Sequence, residues 1–177
     1  MLLRLALSAA WLLSAHGCSP ELEGVPPPIQ RSAPPGSEPP ALGPSVQMAS
    51  PEVDSHIVAG IPPGDPGSPR RWTGERPELR FQLAQTRGQK VFVDLVIAEV
   101  TFEQTGPVTV RFFVEGRPVG SARYDAPGPK RFEAAVPPEL LKAGEPVVLA
   151  AEVDQVWVSP EDGARLGFLL VGAGFTE

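Results

Sequence analysis

The sequence predicts an all-β fold, an antiparallel β-sandwich, over residues 50–177. Three observations carry this. Apolar residues recur at every second position in short segments, Gly, Pro and Asp separate those segments, and no segment has the 3.6-residue period of a long amphipathic helix.

The elements follow in order. Leu79, Phe81 and Leu83 alternate with Arg80 and Gln82, which predicts the first clear strand. In VFVDLVIAEVTF, Val91, Val93, Leu95 and Ile97 share one face. Val100 and Phe102 continue that face only if the phase slips, so a bulge or bend is expected near Ala98-Glu99. VTVRFFV alternates Val108, Val110, Phe112 and Val114, and EGRP reverses the chain into VGSARY, the pattern of a β-hairpin. RFEAAV sets Phe132, Ala134 and Val136 opposite Arg131 and Glu133. PPELLKAG reads as one helical turn, with proline at its start and Gly144 at its end. VVLAAEVDQVWV and ARLGFLLVGAGF, joined by SPEDG, are the last strands. Seven or eight strands result, in an order that periodicity does not reveal.

Ahead of this domain the composition changes twice. Met1-Leu-Leu-Arg4 and the apolar run LALSAAWLLSA have the layout of a secretory signal, too short to span a bilayer, which needs roughly 20 apolar residues. Ala15-His16-Gly17-Cys18 resembles the lipobox of bacterial lipoproteins, whose cysteine is acylated and becomes the mature N-terminus. Ala15 stands where that motif usually has Leu, with Leu12 and Leu13 close by. The resemblance implies a signal peptide over 1–17, Cys18 as the lipid attachment site, and the membrane as a partner through the acyl chains. The alternative is an ordinary signal peptide with an incidental cysteine. Ser19 is not the aspartate that retains lipoproteins at the inner membrane of enteric bacteria, which implies the outer membrane. Residues 18–49 carry proline runs at 26–28, 34–35 and 39–40 and few large apolar groups, so a disordered, polyproline-biased tether is expected there.

With Cys18 acylated, no thiol remains for a disulfide, and the domain must stand on its apolar core. A net charge of -6 argues against a nucleic-acid partner; Arg70-Arg71 is the nearest thing to a basic cluster.

VRFFVEGRPVG, RFEAAVPPELL and SPEDGARLGFLLVGAGF, in that order and after PRRWTGERPELRFQL, resemble the galactose-binding-like (jelly-roll) β-sandwich domains attached to some bacterial cell-surface glycosyltransferases. The likeness covers about residues 53–177. Those domains carry Asn-Gly in the hairpin and Asp-x-Arg-x-Leu-Gly before the last strand. Here the first is Glu115-Gly116, and in the second Asp162, Leu166 and Gly167 keep their spacing while the arginine moves by one position to Arg165. The resemblance implies a sandwich fold and, by analogy only, binding.

Few side chains of the sequence stand in catalytic spacings. Past the signal, His56 is the remaining histidine, in what reads as a linker-like approach to the domain, so a His-based triad lacks partners. No spacing suits a metal, a dinucleotide loop or another cofactor, and none is expected. Asp94 with Glu99, or Glu152 with Asp154, are the carboxylate pairs available for hydrolysis, but charges on the solvent side of strands account for them. The expectation is a chain that is not an enzyme.

Exposed aromatics are the informative groups for glycan binding, because sugar rings stack on them while polar neighbours bond the hydroxyls. The candidates are Trp72, Tyr124 and Trp157, with Asp162 and Arg165 from the turn before the last strand. Trp157 points out if Val156 and Val158 face the core, and inward if Val153 sets the phase, which is the favoured reading. Trp72 is expected to seal one end of the sandwich and Tyr124 to sit on its rim. Two functions are expected: a membrane-anchored binding module for a glycan or another envelope ligand, or an assembly lipoprotein contacting an envelope protein.

Overall fold

The structure, a computed structural model, describes residues 41–177; the expected signal segment, Cys18 and the expected tether up to residue 40 lie outside the described residues. In chain order the elements are β1 (Ser45–Gln47), α1 (Val53–His56), β2 (Ile57–Ala59), β3 (Arg71–Trp72), β4 (Glu78–Gln82), β5 (Lys90–Ile97), α2 (Glu99–Thr105), β6 (Val108–Val114), β7 (Arg117–Tyr124), β8 (Gly128–Ala135), a 3-10 turn (Pro138–Leu140), β9 (Pro146–Val153), β10 (Trp157–Val158), β11 (Arg165–Leu166) and β12 (Leu169–Thr176).

Two five-stranded antiparallel sheets result. The first runs β1-β12-β5-β8, with β3 also paired to β12, and the second runs β2-β4-β9-β6-β7; β10 and β11 form a separate two-stranded ribbon. The first and second sheets face each other through their alternate residues. Val91, Val93, Leu95 and Ile97 of β5 are buried against Val110, Phe112 and Val114 of β6 and Leu79 and Phe81 of β4 in one apolar core. Two aromatic contacts tie the layers together. Phe112 stacks on Phe132 at 3.8 Å between ring centroids, and Phe81 meets Phe175 edge-on at 5.8 Å. This is the antiparallel β-sandwich that the period-2 pattern predicts.

Glycine sets two local geometries. In the hairpin between β6 and β7, Glu115 (φ 50°) and Gly116 (φ 72°) both take left-handed backbone, the conformation that lets a two-residue turn follow the twist of its strands. Gly167 lies so close to the chain leaving β3 that a Cβ there would sit 2.6 Å from the Gly74 carbonyl oxygen.

Several sequence expectations change. The folded part starts before residue 50: β1 pairs with β12 from Ser45 to Gln47, and Val46 and Met48 enter the core. The expected bulge at Ala98-Glu99 is a strand end followed by α2. Thr101 donates its hydroxyl to the Ala98 carbonyl, and Gly106, at φ 69°, closes the helix with its N–H on Phe102 O. His56 is no linker residue. It is 2% exposed, donates Nδ1–H to the Arg80 carbonyl at 2.9 Å and packs against Phe81. The segment VVLAAEVDQVWV, read as one strand, breaks after Val153, where Asp154 accepts the Thr109 N–H at 2.8 Å.

Candidate functional site

Outward-facing aromatics on this sandwich are covered in a consistent way. Phe92 of β5 lies under the Arg131 guanidinium, 4.8 Å from its ring centroid, and Arg131 is held by Asp94 and Glu133. Phe113 of β6 lies under Arg76 at 4.7 Å, and Arg76 is held by Glu78 and Glu152, the latter also pairing with Arg111. These ion pairs place Asp94 and Glu152 in structural work on the solvent side of strands.

Trp72 departs from that pattern. Strand pairing sets it opposite Leu169, which in turn is opposite Val96 on β5, and Val96 is opposite Pro129 on β8. Directly paired residues share a face, so these four make one row across the outer face of the first sheet. Their neighbours Arg71, Leu170 and Leu95 point the other way and are buried. Thr73 fixes the row from behind. Its hydroxyl donates to the Phe168 carbonyl at 2.9 Å and accepts the Phe168 N–H at 3.2 Å, locking β3 to the start of β12.

Around this row the surface is concave. A groove of about 610 Å³ is lined by Trp72, Arg70, Leu169, Val96, Glu99 and Pro127. A second depression of about 310 Å³ is lined by Trp72, Arg70, Leu169, Arg71, Asp65 and Pro63. Trp72, Arg70 and Leu169 belong to both and form the saddle between them. No guanidinium covers Trp72 among the described residues, and Arg70 makes no ion pair there.

The other sequence candidates fall as follows. Trp157, favoured for the core, is half-buried on the short β10; its ring centroid is 6.4 Å from that of Trp72 at a tilt of 36°, so it buttresses the platform. Tyr124 is corrected from rim to core. It is 8% exposed, its hydroxyl has no hydrogen-bond partner among the described residues, and burial alone pushes its pKa above the ordinary tyrosine range. Asp162 holds its own turn: it accepts the Ala164 N–H at 3.0 Å, and that bond together with the Ser159 hydroxyl lowers its pKa. Arg165 is exposed and pairs with Glu75 at 3.1 Å. Of the five residues, the structure therefore brings Trp72 and Trp157 together and sets the other three to different work. Sequence reasoning missed Arg70, Leu169 and Val96. The signal for Arg70 was present, because alternation in RRW puts Arg70 and Trp72 on one side of a strand.

No protein-family model matches the chain, and no curated protein matches it. The solved structures similar to it include two esterases. One is an acetyl xylan esterase (Est2A) from the rumen bacterium Butyrivibrio proteoclasticus, with a TM-score of 0.46 and 11% identity over 77% of this chain and 34% of that one. Another is a two-domain esterase (CEX) active on acetylated mannans, co-crystallized with mannopentaose, with a TM-score of 0.39 and 13% identity over 82% of this chain and 40% of that one. The chain thus spans 34% and 40% of the length of these two proteins. Both are named as esterases that act on carbohydrates. The expectation that this chain is not an enzyme is overturned on that ground, and neither a reaction nor its absence is assigned to the domain.

Proposed function

We propose that the domain binds carbohydrate at the saddle formed by Trp72, Arg70 and Leu169, and that an acylated Cys18 holds it at the cell envelope. The observation that carries the binding reading is the uncapped indole. Two other outward aromatics sit under guanidinium groups that carboxylates hold in place, whereas Trp72 is left open between two depressions with polar groups at their rims. A sugar stacks its C–H face on such a ring, and Arg70, Glu99 and Asp65 are placed to bond its hydroxyls. The anchoring reading rests on the signal-like run and the residues before Cys18.

Glycan-array screening of the purified protein tests the first part. Retention of a glycan by the wild type, lost in Trp72→Ala with the thermal midpoint lowered by no more than a few degrees, is the expected result. Recovery of a protein partner with no glycan retained overturns it in favour of an assembly role. For the anchor, Cys18→Ser is expected to release the protein from membranes and abolish palmitate labelling. A variant that still fractionates with membranes, from a wild type that takes up no label, overturns that part.

A further inference from the structure

The two depressions beside Trp72 differ in charge. In the larger one, Glu99 faces Arg70; the smaller one has two arginines, Arg70 and Arg71, and one carboxylate, Asp65. Arg71 is ion-paired with Asp54, outside that lining, and of the two Arg70 is the guanidinium left without an ion pair among the described residues, on a chain whose net charge is -6.

Arg71 is the unusual member. Alternation along β3 turns it inward, where it is 6% exposed. Its Nη1 donates to Asp54 at 2.6 Å, and its buried Nε–H has no acceptor among the described residues. Asp54 is 79% exposed, so the counter-ion that the buried guanidinium has among the described residues is itself mostly in water. A solvated carboxylate compensates a buried charge poorly, because water screens its field. Gly64 rests on the Arg71 stem, where a Cβ would come within 3.2 Å of Cγ, and Arg71 is among the residues that line the depression. Arg70, the exposed residue just before β3, lines the same depression. Ser68 donates its hydroxyl to the Arg70 carbonyl, which fixes the backbone and leaves the guanidinium fork free to receive a ligand.

We propose that the smaller depression is an oxyanion subsite. It takes the carboxylate of a uronic acid, or a sulfate ester, on the sugar next to the one stacked on Trp72. Arg70 supplies the fork that contacts the anion, and Arg71 supplies fixed positive potential from below. This inference rests on the carbohydrate reading of the saddle and narrows it to acidic glycans.

Titration calorimetry of the purified protein with oligogalacturonate, its methyl ester and a sulfated galactan oligosaccharide tests the inference. The acid is expected to bind about ten-fold or more tightly than its ester, since a charge-assisted hydrogen bond is at stake, and to weaken as salt rises. Arg70→Gln should abolish the preference for acid over ester, and Asp65→Asn should tighten acid binding. Preference for the sulfated ligand over the uronate supports the subsite with sulfate as the source of the anion. Equal binding of acid and ester, in the wild type and in Arg70→Gln alike, but lost in Trp72→Ala, overturns the oxyanion subsite and leaves the carbohydrate reading standing. Binding of none of the three ligands, with no glycan retained on an array, overturns both.

Discussion

The outer faces of the two sheets treat their aromatic residues differently. On the second sheet, Phe113 sits below Arg76 within a network that joins Glu78, Glu152 and Arg111. On the first, Phe92 is covered by Arg131, while Trp72, farther along the same face, has no guanidinium over it among the described residues and lies beside Leu169, a tilted Trp157 and open depressions. A guanidinium over a ring removes apolar surface from water and leaves a charged exterior, which suits a surface with no ligand to bind. The lesson is that an aromatic on a strand's solvent side says little by itself. Whether an arginine reaches over it decides its availability.

Four measurements break or sharpen this contrast. The largest effect belongs to the inward aromatics: Phe112→Ala removes one partner of the inter-sheet stack and is expected to cost about 3–5 kcal/mol in a denaturant melt. Next comes a matched pair of outward substitutions. Phe92→Ala should cost roughly 1.5–3 kcal/mol of stability and leave glycan binding unchanged, whereas half-buried Trp72→Ala should cost about 1 kcal/mol and abolish binding. The reverse assignment would dissolve the contrast.

A smaller effect follows from lifting a cap. Arg131→Ala uncovers Phe92 and should lower stability by up to about 1 kcal/mol, because exposed ion pairs and cation–π contacts contribute little each. If the covering residue is what withholds a ring from ligand, this variant should also gain weak retention on the array. The smallest effect at neutral pH concerns Tyr124. Its folded pKa lies above the ordinary value of 10.0, so the folded state holds the proton more tightly than the unfolded chain. That contribution is fully present below about pH 10 and is lost as pH rises through the folded value. Tyr124→Phe, which removes a hydroxyl with no partner among the described residues, should show no loss in a neutral-pH melt and a flatter decline above pH 10.

Much of the fold was legible because side chains on a strand alternate and one face must be buried. Val91 to Ile97, Val108 to Val114 and the Glu115-Gly116 turn could each be read locally. Two elements escaped for opposite reasons. Val46 and Met48 alternate correctly but lie in a stretch whose prolines announce a tether, and only pairing with β12 makes SVQ a strand. Val100 and Phe102 follow a strand and fit a slipped phase, yet α2 takes them out of the sheet, leaving Val100 exposed.

For the site, the sequence by itself supplied Trp72 as a candidate and the alternation that sets Arg70 beside it. It also determined the period-2 pattern from which the sandwich follows, since burying one face of each strand is a local requirement. Tertiary structure alone decided which aromatics remain open. Arg131 reaches Phe92 from a neighbouring strand, Arg76 reaches Phe113 across 37 sequence positions, and Leu169 closes on Trp72 from the far end of the chain. Those approaches depend on sheet order and register, long-range quantities that no local periodicity encodes.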